Sequence, residues 1–189
     1  MSTARPTPDT TPALSLVVCT RNRAAFLGPF FEAIEAIRTR HQWELILVDN
    51  GSSDDTPRLL REFAERAPMP VRVVRDELPG LGHARNCGWT VARGPIVSFT
   101  DDDCYTRHDY VDRMLEAFDD PTVGFVGGRV TLHDPEDLPV TIRTETEPLE
   151  FPAGRFIYPG QIHGANFAFR LEVLQRIGGF DWWLGAGTP

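Results

Sequence analysis

The sequence predicts an α/β fold, a single domain in which a mostly parallel sheet is flanked by helices. Short apolar runs alternate with segments of helical periodicity, and the links between them are short. Each apolar run is nearly continuous, which is typical of parallel strands that are covered on both faces. A chain of 189 residues with 41% hydrophobic and 24% charged residues has the size and composition of one globular domain.

The first part of the chain supplies four strands and four helices. Residues 1–13 are rich in Pro, Thr and Ser, which predicts a disordered lead-in before a domain at 14–189. Apolar residues that recur every three to four positions indicate the helices, and the second has a start signal in Ser52 or Ser53. The strands are predicted at 14–19, 43–48, 71–74 and 95–99, and the helices near 26–37, 52–64, 82–93 and 109–118.

The regular alternation of strands and helices ends after a further apolar run at 122–126. Residues 133–158 contain many Pro, Asp and Glu and show no period, which predicts an irregular excursion. A strand at 164–169 and a helix at 171–177 follow. Gly178 and Gly179 are typical of the end of that helix.

Composition and charge exclude several functions. The formal net charge of -8 argues against a nucleic-acid partner, because neutralising phosphates needs a basic face. All 19 basic residues are arginine, so chemistry that needs a lysine is excluded. The sequence shows no secretory signal and no apolar run long enough for a transmembrane segment. We therefore predict a cytoplasmic protein with free thiols, and peripheral association with a membrane stays open.

Three consecutive carboxylates, Asp101, Asp102 and Asp103, directly follow the predicted strand at 95–99. They repel one another, and a divalent cation such as Mg²⁺ or Mn²⁺ offsets that cost through oxygen ligands. The alternative is a solvated acidic turn before the next helix. Ligands of parallel sheets bind outside the carboxyl ends of strands, which favours the functional interpretation.

Other polar residues follow neighbouring predicted strands at the same edge. Asp49 ends the second strand, where a carboxylate can accept hydrogen bonds from a nucleobase or a ribose, or can open an Asx-turn. Arg21 follows the first strand, where its guanidinium can bind phosphate or stack on a base. Arg85 lies in a glycine-containing segment that leads into the acidic strand. These residues favour an anionic ligand that brings its own metal.

Five motifs follow one another along the chain: CTRNR, VDNGSSDDT, GLGHARNCG, GPIVSFTDDDC, and GANFAFR followed by IGGFD. Their order resembles the family 2 glycosyltransferases, which have the GT-A fold, a Rossmann-like sheet. The resemblance covers about residues 14–187 and implies inverting, metal-assisted transfer of a sugar from a nucleotide-diphosphate donor to an acceptor hydroxyl. The acceptor class implied is a saccharide or a lipid-linked molecule.

The resemblance also implies roles for individual residues. The expected metal, Mn²⁺ or Mg²⁺, is assigned to Asp101 and Asp103. The residues expected to bind the donor are Thr20, Arg21, Asn22, Asp49, Arg85, Asp101 and Asp102. The residues expected on the acceptor side are Gly164, Ala165, Asn166 and Asp181.

One expected part of the family pattern is absent from this sequence. The family normally supplies its catalytic base from an acidic pair downstream of Gly-Gly-Phe-Asp, so we expect the base beyond Pro189 and the chain to be a fragment incomplete at its C-terminus. Binding without robust turnover is then predicted. A non-catalytic nucleotide-binding domain stays open as the alternative function, whereas a dehalogenase-type phosphatase and a nucleotidyltransferase fit poorly because both need a lysine that is missing.

Overall fold

The computed structural model describes residues 11–140, 142–152, 154–158 and 160–188. Within these ranges the chain forms a six-stranded sheet and five helices. The strands are β1 (Leu14–Thr20), β2 (Trp43–Asp49), β3 (Val71–Arg75), β4 (Ile96–Asp101), β5 (Phe125–Gly127) and β6 (Asn166–Arg170). The helices are α1 (Leu27–Glu35), α2 (Thr56–Arg66), α3 (Leu81–Thr90), α4 (Tyr110–Glu116) and α5 (Leu171–Ile177).

The sheet is mostly parallel, as predicted. Its strand order is β3-β2-β1-β4-β6-β5, in which β1 to β4 run parallel and β6 is antiparallel to both β4 and β5. The register pairs Thr20 with Asp49 and Cys19 with Asp101. The segments that follow β1, β2 and β4 therefore leave the sheet side by side at its carboxyl edge.

Helices cover both faces of the central strands because alternate strand residues point to opposite sides. On one face, Leu16 and Leu45 pack with residues of α1, α2 and α4, and the rings of Phe31 and Phe63 stack at 4.2 Å. On the other face, Val17 packs with residues of α3 and α5. This double cover explains why the strands read as continuous apolar runs.

Several predicted boundaries need correction. Helix α2 begins at Thr56 rather than at Ser52 or Ser53, and α3 ends at Thr90 rather than at residue 93. Of the predicted lead-in, residues 1–10 lie outside the described residues, whereas Pro12 is buried and the Ala13 amide donates to the Gln42 carbonyl at 2.7 Å. The packed structure thus begins before residue 14.

The region between α4 and β6 is largely irregular, as predicted. An isolated antiparallel bridge joins Val130 to Arg143. Strand β6 begins only at Asn166, so Gly164 and Ala165 lie in the preceding turn rather than in the predicted strand. The reason is that the pairing of β6 with β4 ends at the pair of Thr100 with Asn166, so the residues before Asn166 have no strand partner in β4.

Candidate active site at the carboxyl edge of the sheet

The turns that follow β1 and β2 are joined through Asn22. Its backbone lies in the left-handed region at φ 53°, and its backbone N–H donates to the Ser52 hydroxyl at 3.0 Å. Its side-chain oxygen accepts the Ser53 amide at 2.8 Å. The two Ser residues therefore hold the neighbouring turn instead of capping α2. This arrangement leaves the side chain of Arg21 exposed at the edge of the sheet.

Asp49 is almost completely buried, with both carboxylate oxygens occupied. One oxygen accepts the Ser52 amide at 3.0 Å, which is the Asx-turn considered above, and the other lies 2.6 Å from a guanidinium nitrogen of Arg75. Arg75 also pairs with Glu77 at 2.6 Å and is about half exposed. A nucleotide that contacts Asp49 must therefore share this carboxylate with Arg75, a partner that the sequence did not reveal.

The three carboxylates after β4 point in different directions. Asp102 turns inward, accepts a hydrogen bond from the Thr20 hydroxyl and lies 3.2 Å from Nε of Arg23. Asp103 has a 61% exposed side chain, and its Oδ2 lies 3.0 Å from Nη2 of the same arginine. Arg23 thus pairs with two of the three carboxylates, and its single positive charge offsets part of their combined charge. The hydrogen bond between Thr20 and Asp102 joins the end of β1 to the segment after β4. Contact of these two residues with a nucleotide stays a prediction.

Asp101, the last residue of β4, interacts with Arg85 and with the other two carboxylates. Burial raises the pKa of its carboxyl to about 6, with Asp103 and Asp102 adding to the rise and Arg85 opposing it. One carboxylate oxygen is 3.8 Å from the Arg85 guanidinium. Ionised Asp101 is thus held at a cost, which an added cation at this edge would reduce.

The raised pKa of Asp101 predicts a specific pH dependence of stability. Between its ordinary pKa of 3.8 and about 6, the folded state binds this proton more tightly than the unfolded state does. Asp101 therefore lowers the free energy of unfolding as pH rises through this window. In metal-free buffer, chemical denaturation at several pH values should show that the wild type loses stability relative to Asp101→Asn as pH rises through this window.

The matched control for this measurement is Asp119→Asn, which removes one carboxylate from an exposed position after α4. Its pH profile should follow that of the wild type. An Asp101→Asn profile that runs parallel to that of the wild type would contradict the assignment.

Arg85 links α3 to both β4 and the turn before β6. Its Nη2 donates to the Gly164 carbonyl at 3.0 Å, and its guanidinium carbon lies 5.1 Å from the centre of the Phe167 ring and 5.7 Å from that of Phe180. Burial lowers the pKa of Arg85, although Asp101 opposes this effect. The structure thus brings together three predicted site residues, Arg85, Asp101 and Gly164.

The acidic edge suits a divalent cation. Oxygen atoms of Asp101 and Asp103 and the sulfur of Cys104 all lie within 4.8 Å of one another. Burial raises the pKa of the Cys104 thiol to about 11, so this thiol is neutral and the charged ligands are the carboxylates. Such hard oxygen ligands are those that Mg²⁺ and Mn²⁺ prefer.

The residues predicted on the acceptor side mainly make structural contacts. The Ala165 carbonyl accepts the Thr100 hydroxyl at 2.9 Å, and the Asn166 side chain donates to the Arg129 carbonyl at 3.0 Å. Asp181 is exposed and accepts the Trp183 amide at 3.0 Å, an Asx-turn contact. Gly164 and Ala165 border the Arg85 site, whereas the role of Asp181 toward an acceptor stays a prediction.

The sequence places Arg23 in the motif after β1 and Asn86 beside Arg85 on a helix, but it reveals the partners of neither, and it does not single out Arg75. The Asn86 side chain donates to the Phe180 carbonyl at 2.8 Å and accepts the Phe180 amide at 2.9 Å, which fixes the segment after α5 against α3. The position of Asn86 next to Arg85 on one helix indicated that it lies near the site, but not that it binds the segment after α5. Nothing in the sequence distinguishes Arg75 from the other arginines.

Comparison with known proteins identifies the class. A model of Glycosyl transferase family 2 matches residues 15–178. Because this match spans most of the sequence, the chain belongs to glycosyl transferase family 2, as the motifs predicted. Dodecaprenyl-phosphate galacturonate synthase of Rhizobium johnstonii is 37% identical over 109 residues, which cover 56% of this chain and 32% of that protein.

Solved structures confirm the GT-A fold. Mannosyltransferase PcManGT from Pyrobaculum calidifontis, in complex with GDP-Man and Mn²⁺, has a TM-score of 0.69 and 25% identity over 96% of this chain and 51% of its own. S. aureus TarS 1–349 in complex with UDP has a TM-score of 0.73 and 20% identity over 92% of this chain and 51% of its own.

The curated relatives are considerably longer than this chain, which spans 32%, 40% and 52% of three of them. In the part of the chain that the structure describes, no helix has both the length and the apolar character needed to cross a membrane.

Proposed function

We propose that this chain forms the donor-binding part of an inverting glycosyltransferase, which moves a sugar from a nucleotide-diphosphate sugar to an acceptor hydroxyl with help from Mn²⁺ or Mg²⁺. The observation that carries the proposal is the convergence of Asp101, Asp103 and Arg85 at one edge of the sheet. A cationic fork beside paired carboxylates suits a diphosphate that is bound together with a cation. The complex of PcManGT with GDP-Man and Mn²⁺ supports this assignment.

Different residues of this edge suit different parts of the donor. Each carboxylate oxygen of Asp49 already has one partner, and its second lone pair can accept a nucleobase N–H. Exposed Arg21 can stack on the base or bind phosphate. Arg85 is oriented by the Gly164 carbonyl and by two aromatic rings, so its remaining N–H groups are held ready for phosphate oxygens. Asn22 orients the turn that carries Arg21.

The chemistry needs charge neutralisation and alignment. When bound by Asp101 and Asp103, Mn²⁺ or Mg²⁺ would offset the charge of the departing nucleoside diphosphate. The turn at Gly164 and Ala165, with Asn166 and Asp181, is proposed to face the acceptor. A carboxylate must take the proton of the attacking hydroxyl, and the proposal assigns this base to sequence beyond Pro189.

The acceptor proposed is a saccharide or a lipid-linked molecule, in a cytoplasmic or peripheral membrane setting. The relative named as a dodecaprenyl-phosphate galacturonate synthase supports a lipid-linked acceptor. The net charge of -8 does not favour a nucleic-acid acceptor.

A thermal-shift panel of nucleoside diphosphates with and without Mn²⁺ tests the proposal. We expect one nucleotide to raise the melting temperature strongly only when the metal is present. A ligand that binds the folded state and not the unfolded state adds about 2.7 kcal/mol to the free energy of unfolding when its concentration is about a hundred times Kd. Asp103→Ala should abolish this gain, since it removes the exposed carboxylate of the pair.

Asp119→Ala, at an exposed position after α4, is the matched control and should retain the full gain. The proposal fails if no nucleotide stabilises the wild type, or if Asp103→Ala responds as strongly as the control.

A further inference from the structure

A second cluster of titratable side chains lies where β3 ends, at the same carboxyl edge of the sheet as Asp101 and Asp103. It consists of Asp76, directly after β3, and of His83 and Cys87 on α3. His83 and Cys87 are four residues apart and therefore share one face of the helix. A carboxylate oxygen, an imidazole nitrogen and the cysteine sulfur all lie within 4.8 Å of one another.

The geometry of the imidazole argues against a nucleophilic triad. His83 Nδ1 lies 2.8 Å from Oδ2 of Asp76 and 3.7 Å from Sγ of Cys87, so one ring nitrogen serves both contacts. A relay of the Cys-His-Asp type needs the carboxylate and the nucleophile on different ring nitrogens. Burial also raises the pKa of the Cys87 thiol, and Asp76 adds to the rise. Three donor atoms that converge on one region instead resemble a ligand set.

We propose that Asp76, His83 and Cys87 bind Zn²⁺. A carboxylate oxygen, an imidazole nitrogen and a thiolate sulfur are all ligands of Zn²⁺, whereas Mg²⁺ avoids sulfur and takes mostly oxygen. The acidic edge offers two carboxylates and a thiol but no imidazole, so the cluster with His83 is the one that suits Zn²⁺ better. With three protein ligands, the fourth position is left for water.

The surroundings supply both support and access. The side chain of Asp76 is 4% exposed. Its Oδ2 also accepts a hydrogen bond from the side-chain amide of Asn50 at 3.0 Å, and its Oδ1 accepts one from the backbone N–H of Leu78 at 3.1 Å. Such outer partners orient a metal ligand. A cavity of about 540 Å³ reaches His83 and Cys87 and gives an ion a path to them.

Binding replaces protons with the metal. To bind the metal, the His83 imidazole ligates through Nδ1 and carries its proton on Nε2, and the Cys87 thiol releases its proton to solvent. The bound Zn²⁺ then joins the end of β3 to α3 across one helical turn. Arg85 lies on that same turn, between the two helical ligands, so the site also fixes the helix that carries it.

Substitution of Co²⁺ for Zn²⁺ tests the ligand set without any need for enzymatic activity. The full chain, stripped of metal, is titrated with Co²⁺, and the cobalt–thiolate charge-transfer band is followed in the near ultraviolet. We expect the band to appear at one equivalent and to disappear when Zn²⁺ is added. Cys87→Ser should lose it, whereas Cys104→Ser, the matched control at the acidic edge, should retain it.

The proposal is overturned if the wild type gives no thiolate band, or if the band is lost in Cys104→Ser and kept in Cys87→Ser. A second variant covers the case in which Cys87→Ser does not fold. Zn²⁺ should raise the melting temperature of the wild type and of Asp103→Ala but not that of His83→Gln. An unchanged response of His83→Gln to Zn²⁺ would equally reject the site.

Discussion

Replacing Arg85 with alanine is expected to destabilise the folded chain and to remove most of its affinity for a nucleoside diphosphate. The guanidinium donates to the Gly164 carbonyl and packs near the rings of Phe167 and Phe180. Its loss leaves a carbonyl acceptor without this donor and removes packed carbon atoms, which costs about 1–3 kcal/mol of the free energy of unfolding. Chemical denaturation of the ligand-free chain measures this part.

The binding effect has a separate physical origin. A hydrogen bond between a guanidinium and a phosphate oxygen is worth about 1.5–3 kcal/mol, so Arg85→Ala should weaken nucleotide binding about 10- to 150-fold. Calorimetric titration with the stabilising nucleotide and Mn²⁺ gives the two dissociation constants. Arg85→Lys should be intermediate, because lysine keeps the charge but not the planar fork.

Arg61→Ala removes an exposed arginine of α2 and is the control for loss of one positive charge. It should leave the free energy of unfolding and the dissociation constant for the nucleotide close to those of the wild type. If Arg85→Ala binds the nucleotide as tightly as Arg61→Ala does, Arg85 does not contact the donor.

The central strands could be predicted because their environment is uniform. β1, β2 and β4 are covered on both faces, so nearly every position is apolar and the pattern is readable without tertiary information. The direction of β6 was not predicted. It depends on the path of the irregular region at 133–158, which has no period from which a direction follows.

The position of the candidate site was predictable, but the direction of its side chains was not. The sequence indicates three carboxylates at a strand end, and the structure confirms that location. It also separates buried Asp102 from exposed Asp103, a difference set by Thr20 and Arg23 across the β1–β4 pair. Such ion pairs join residues about 80 positions apart, so no local pattern in the sequence reveals them.

Gly88 illustrates a prediction from local propensity that tertiary packing reverses. The sequence suggests that this glycine weakens α3, since glycine inside a helix costs about 1 kcal/mol relative to alanine. In the structure, however, an added Cβ at Gly88 would lie 2.3 Å from Cγ1 of Val17 and 3.2 Å from Cγ2 of Val48. The glycine therefore allows α3 to lie directly on β1 and β2.

Gly88→Ala is accordingly expected to destabilise the chain by about 1–3 kcal/mol, the cost of overpacking a closely packed core. Gly28→Ala makes the same substitution in α1, where an added Cβ meets nothing within 4 Å, and should stabilise the chain by about 0.4–1 kcal/mol. Urea denaturation of both variants compares the two signs directly. A gain in stability for Gly88→Ala would mean that α3 can move off the sheet without cost, because helix propensity would then outweigh the contact with Val17.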